Sequence, residues 1–192
     1  MYSNIMCGRY YFDENIDISK ILKILEKKYN QKTLDLLSTG EIFPSNISLV
    51  FANNDYHLMK WGYSLNKRNL INTRIETIRD TDIYKTDYQN HKCVIIASGF
   101  YEWDKHKRRH YITTGDDIIY FAGIYQKNNP VYNYSIITTE AISTKNIHNR
   151  VPIVLNKNET DNYLNNRYSI EQLIKLQPDF NTETEYEILT LF

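Results

Sequence analysis

Near the start of the chain, Ile18, Ile21, Leu22, Leu25 and Tyr29 recur at i, i+3, i+4, i+7 spacing with charges between them. That pattern predicts an amphipathic surface helix. Towards the other end, Ser169 with Gln172 three positions on is a capping box. It predicts a short helix through Leu176 that stops before Pro178. Between these the pattern shortens to that of strands. Ser48–Ala52 and Tyr56–Trp61 flank Asn53, Asn54 and Asp55 and predict a hairpin. Cys93–Ala97, His110–Thr113, Ile118–Tyr125, Tyr134–Thr139 and Ile153–Leu155 are short β-branched or aromatic runs bounded by turn residues. Tyr186–Leu191 reads as an edge strand or a fraying end. Short strands without alternating helices predict an α+β chain that is β-rich, with mostly antiparallel, barrel-like sheets and flanking helices. No repeat, low-complexity tract or linker interrupts the chain, so residues 1–192 are expected to form one domain.

Composition narrows the classes rather than choosing among them. A chain of 192 residues can bury a real core unaided. Lys and Arg number 23 against 23 Asp and Glu, which excludes a polyanion-coating protein and leaves room for a small nucleic-acid site. Two cysteines make no disulfide framework, no apolar run is long enough to span a membrane, and no secretory signal opens the chain. A cytoplasmic monomer is expected. Aromatics reach 14%, with 17 Tyr, which suits β structure or base stacking.

Several residues carry chemistry. Cys7, in Met6-Cys7-Gly8-Arg9-Tyr10, is a candidate nucleophile or a small buried hydrophobe. Cys93 lies in an apolar run and reads as core. Glu102 sits among aromatics in Gly99-Phe100-Tyr101-Glu102-Trp103. Partial desolvation there raises a carboxyl pKa and suits acid or base work, while the bland alternative is an outward-facing strand residue. His148, in Ile147-His148-Asn149-Arg150-Val151-Pro152, is a proton shuttle or a structural histidine. Asn72 and Arg74 share one face of an extended segment and offer an amide and a guanidinium fork. Lys105, His106, Lys107, Arg108, Arg109 and His110 form a dense basic run that reads as a hairpin tip, beside Trp103. Cations next to an aromatic also suit single-stranded nucleic acid. The spacing offers no metal site, and no cofactor is expected.

These segments, together with Pro44-Ser45-Asn46, Trp61-Gly62 and Asn72-Thr73-Arg74-Ile75-Glu76-Thr77, resemble in content and order the SOS-response-associated peptidase (SRAP) family of abasic-site processing proteins. The resemblance runs from Met6 to about Leu155. It implies a β-rich fold that binds single-stranded DNA and captures an abasic site covalently, with a DNA-repair role and association with the nucleoid. In the family an N-terminal cysteine condenses its amine and thiol with the abasic aldehyde to give a thiazolidine. By matching motif, Cys7 is the nucleophile, Glu102 the acid and base, His148 its assistant and Asn72 the residue that positions the lesion. Arg9 and Arg74 bind flanking phosphates. Pro44, Trp61, Gly62 and Trp103 shape the channel and stack against bases. Met1 to Met6 depart from the pattern, because they leave the Cys7 nitrogen as an amide. Translation starting at Met6, self-cleavage of a leader, and loss of covalent capture are the three readings of that departure. The first is preferred, since removal of Met before a small residue is routine. Thr73 stands where the family usually has Ala, with little effect expected. Two further readings stay open: a thiol peptidase or autopeptidase using Cys7, His148 and Glu102, and a non-covalent single-strand binder.

Overall fold

The computed structural model describes residues 7–128 and 131–185. The first half of the chain carries β1 (Arg9–Phe12), α1 (Ser19–Leu25), α2 (Gln31–Leu34), β2 (Gly40–Ile42), β3 (Ile47–Ala52) and β4 (Asp55–Trp61). There follow a small hairpin of β5 (Tyr63–Leu65) and β6 (Arg68–Leu70), then β7 (Asn72–Arg74), a single 3-10 turn, and α3 (Asp82–Asn90). The second half carries β8 (Lys92–Ala97), β9 (Gly99–Trp103), β10 (Arg109–Thr113), β11 (Ile119–Gln126), β12 (Asn133–Glu140), β13 (Arg150–Pro152) and β14 (Val154–Leu155). It ends in α4 (Lys157–Leu164), α5 (Ile170–Lys175) and β15 (Asn181–Glu185). No helix among the described residues is long and apolar enough to cross a membrane.

Hydrogen bonding runs β12-β4-β3-β8-β11 and returns to β12, closing a barrel to which β7, β13 and β14 are attached. A second sheet, in the order β15-β10-β9-β1-β2, is wholly antiparallel. The barrel closes through parallel pairing of β12 with β4, and β7 also joins β12 in parallel. Among the named strands of the described residues, these two pairings are the exceptions to the antiparallel expectation. All six residues of β8 are buried, as expected for a strand covered on both faces. Tyr10, Trp61, Phe121 and Tyr134 meet in the core, with Tyr10 set edge-on to Trp61 and Phe121 at 5.1 and 5.7 Å. The Tyr134 hydroxyl satisfies itself by donating to Ser48 Oγ at 3.0 Å.

The hairpin around Asn53 and Asn54 forms with Ala52 paired to Asp55. Both asparagines take positive φ, at 51° and 58°, the left-handed pair that a two-residue turn demands. In α1, Leu25 is buried, and Ile21 and Leu22 pack on the core together with Ile18 at the N-cap. The Ser169–Gln172 capping box is present and opens α5. The strand expected over Tyr186–Leu191 lies outside the described residues. The edge strand seen is β15, paired with β10.

Candidate functional site

Cys7 lies immediately before β1, fully buried, with φ at 31°. A non-glycine residue in that region stores backbone strain that its surroundings must hold. The Cys7 backbone N–H donates to Glu102 Oε1 at 2.7 Å, across 95 residues of sequence. The Cys7 carbonyl accepts from Asn72 Nδ2 at 3.3 Å. Strand pairing explains the first contact. Tyr10 on β1 is in register with Phe100 on β9. Alternation then places Glu102 with Phe100 on the inner face, facing the chain that enters β1.

Behind Glu102 stands His148, with Nδ1 at 4.0 Å from Oε2. The Arg150 N–H lies 3.2 Å from His148 Nδ1 and can donate to it in the tautomer that leaves that nitrogen unprotonated. The Arg150 carbonyl lies 3.2 Å from the same nitrogen and can accept from it once the ring is protonated. Asn72 from β7 and Glu102 from β9 therefore meet at Cys7, with His148, from the loop before β13, behind Glu102.

Glu102 is 2% exposed, and burial pushes its carboxyl up to about 8. Hydrogen bonds from the Cys7 and Trp103 amides pull the other way and do not win. Burial likewise raises the Cys7 thiol well above its ordinary range, and the Glu102 charge adds to that. At neutral pH both groups hold their protons. Among the described residues no cluster of His, Cys, Asp or Glu could hold a metal ion.

The other sequence-derived residues divide into two groups. Arg74 is exposed on the same side of β7 as Asn72. Thr73 between them is buried, its hydroxyl 2.8 Å from Ser135 Oγ, so the extra oxygen is satisfied. Arg9 lies between the Phe43 and Trp103 rings, 4.3 and 5.2 Å from their centroids, and pairs with Glu41 at 3.0 Å. Pro44 and Trp103 are half-buried at the same edge. Trp61 and Gly62 need correction as base-contacting residues. Trp61 is 0% exposed and its indole N–H donates to the Ile71 carbonyl at 3.0 Å. Gly62 is buried at φ +108°, and a Cβ there would fall 1.8 Å from Asn69 Oδ1. Both belong to the interior, because β4 runs into the barrel seam.

One pair has no role that the sequence alone assigns, although both members lie inside the motifs quoted above. Arg150 donates from Nη1 and Nη2 to Glu76 at 3.0 and 2.9 Å, and from Nη2 to the Thr138 carbonyl at 2.7 Å. This fork ties the Asn72-bearing segment to the His148-bearing loop. The Arg150 side chain is 8% exposed and that of Glu76 32%, so the two deletions should differ. Glu76→Ala strands a buried guanidinium and is expected to cost about 3–5 kcal/mol of unfolding free energy. Arg150→Met leaves a carboxylate that water can reach and is expected to cost about 1–3 kcal/mol. Urea denaturation of both variants measures the difference, and equal losses would remove the asymmetry.

Three comparisons bear on this arrangement. The model of the SOS response associated peptidase (SRAP) family matches residues 6–190. The abasic site processing protein YoaM of Bacillus subtilis is 28% identical, over 83% of this chain and 79% of its own length. The abasic site processing protein YoqW of the same bacterium is 27% identical, with 97% and 93% covered. A crystal structure of a protein from Bacteroides thetaiotaomicron shares the fold at a TM-score of 0.73 and 18% identity, covering 94% of this chain and 93% of its own.

Proposed function

Because this chain belongs to the SOS response associated peptidase family, we propose that it processes abasic sites in single-stranded DNA by capturing them covalently on Cys7. The observation that carries this reading is the Cys7 nitrogen, held 2.7 Å from a buried carboxyl that is protonated at neutral pH. The reading requires that Met1–Met6 be removed, so that this nitrogen becomes an α-amine of pKa near 8.

In this reading the residues act in sequence. Glu102 donates its proton to the ring oxygen of the abasic deoxyribose while His148 accepts the proton of the C1′ hydroxyl. The ring opens to an aldehyde. The Cys7 amine adds to C1′ and passes a proton to the Glu102 carboxylate while His148 returns its proton to the oxygen; Glu102 then protonates the departing hydroxyl, so that one water leaves and a protonated imine forms. The Cys7 thiol adds across that double bond. Its sulfur bonds C1′, the electrons of the double bond settle on the nitrogen, and its proton returns Glu102 to the acid form. The product is the DNA plus the protein less one water. Asn72, bonded to the Cys7 carbonyl, fixes the direction in which the nitrogen points.

The raised thiol favours this order over a thiol peptidase. A peptidase needs a thiolate before attack, and here burial holds the proton on sulfur while His148 faces Glu102. In condensation the amine attacks first and a protonated thiol suffices for ring closure. Intact mass spectrometry tests the proposal, using the purified chain and a single-stranded oligonucleotide with one abasic site. A chain beginning at Cys7 should gain the oligonucleotide mass less one water. A chain that begins at Cys7 and gains nothing would overturn covalent capture.

A further inference from the structure

We propose that Gln177 is a positioning residue for His148, clamping the first foot of the β12–β13 loop from a segment that lies beyond the sequence motifs. The clamp rests on the capture reading above for the task of His148, and on its own bonds for its geometry.

The loop has two feet. Its second is Arg150, two residues past His148 and held by the fork to Glu76. Its first is Glu140, which pairs in register with Arg150, and next to it the Ala141 N–H donates to the Asn149 carbonyl at 3.0 Å. Within the loop, the Ile147 and His148 N–H groups donate to the Thr144 carbonyl at 2.9 and 3.1 Å. His148 therefore moves with the loop as a unit. Ile142 is 69% exposed, so apolar burial of its side chain does not pin the chain beside the first foot.

Gln177 supplies the hold instead. Its Oε1 accepts from the Ile142 N–H at 3.0 Å, and its Nε2 donates to the Glu140 carbonyl at 2.7 Å. One side-chain amide thus bonds two positions two residues apart, as one residue of a neighbouring strand would. The partners fix its orientation, since a backbone N–H only donates and a carbonyl only accepts. The local sequence sets it there. Leu176 leaves the helix at ψ 80°, and Pro178 biases the residue before it towards extended backbone. α5 is itself anchored. Leu173 is fully buried, and Ile170, Ile174 and Leu176 pack on the cluster that contains Ile75 and Ile78. Those two isoleucines belong to the 3-10 turn after Asn72 and to its C-cap. The clamp therefore reaches the His148 loop from an element seated on the Asn72 segment.

Placement decides what His148 can do. In the capture reading His148 and Glu102 act on the two oxygens of C1′, so the distance between them must be held. Nδ1 stands 4.0 Å from Glu102 Oε2, and about 1 Å of misplacement in such a site can slow chemistry about a hundred-fold.

The test uses Gln177→Met, which keeps the length of the side chain and loses both bonds. Chains beginning at Cys7 are given a saturating oligonucleotide with one abasic site. The rate of adduct formation is expected to fall between about five-fold and about a hundred-fold, while binding of the unmodified oligonucleotide holds within about two-fold. Added to His148→Ala, the same substitution is expected to slow the reaction no further, because its effect passes through the missing ring. A wild-type rate in Gln177→Met would overturn the clamp. Equal slowing in both backgrounds would also overturn it, being the mark of a general loss of structure. A second readout needs no DNA. Histidine ring resonances are recorded at one pH, with that of His148 assigned by its absence from His148→Ala. The His148 signal is expected to move in Gln177→Met while those of His57 and His91 stay. A moved His148 signal with no wild-type adduct keeps the clamp and removes the capture chemistry. An unmoved His148 signal removes the clamp, whatever the adduct does.

Discussion

Cys7→Ser, in a chain whose first residue is position 7, is expected to lose capture that survives denaturation while keeping an imine that borohydride traps. Serine retains the α-amine, so the first condensation still proceeds. Its hydroxyl is a far weaker nucleophile than sulfur, and the five-membered ring it could close reopens readily. The variant therefore separates the two halves of the chemistry. Without reductant, a denaturing gel should show no slow-moving species where the wild type shows one. With reductant, both should show it. A stable unreduced adduct in Cys7→Ser would mean that sulfur does not close the ring. Failure of both chains to trap with borohydride would mean that the nitrogen never reaches an aldehyde.

Glu102→Gln should slow adduct formation by about 10²–10⁴-fold, the span usual for loss of a positioned acid or base. The amide keeps an oxygen to accept from the Cys7 nitrogen, so the geometry is retained and the proton is not. The same substitution carries a stability signature. The folded Glu102 carboxyl titrates at about 8, against an ordinary glutamate value of about 4.3. Between those values the folded chain holds a proton that the unfolded chain has released. Its stabilising contribution is thus complete below about 4.3 and is lost as pH rises towards 8. Asp104 and Glu76 are held low by their hydrogen bonds, chiefly those from Arg108 and Arg150. They act in the opposite sense, with their contribution already complete above the ordinary carboxylate range. His57, lowered by burial, opposes the Glu102 trend near neutrality and is common to both chains. Subtracting the Glu102→Gln stability curve from that of wild type isolates Glu102. The difference should fall steadily from pH 5 to 8, and a flat difference would place Glu102 in water.

The residues of the candidate site were legible in the sequence because each lies in a local motif. Cys7, Asn72, Glu102 and His148 each lie in a short run of characteristic content, and the structure brings all four together. The Asn53-Asn54 hairpin and the Ser169 capping box were equally readable, since turn and cap chemistry act over two or three residues. The helices α3 and α4 were not. Their buried positions are Tyr84, Asp87 and Tyr88 in one and Thr160 and Tyr163 in the other. A hydrophobic period cannot register an inner face made of tyrosine, threonine and aspartate.

The sequence by itself determined the family resemblance, the strand-rich class and the faces that alternate. Tertiary structure alone decided how those faces are covered. Periodicity says that Trp61 and Trp103 each lie on one side of a strand. It does not say that the first is sealed by Tyr10 and Tyr134 while the second stays at an edge. The same holds for the Arg150–Glu76 fork across 74 residues and for the parallel seam that closes the barrel. Above all it holds for Glu102, whose proton is set by removal from water, a property of everything packed around a carboxyl and of no residue beside it in the chain.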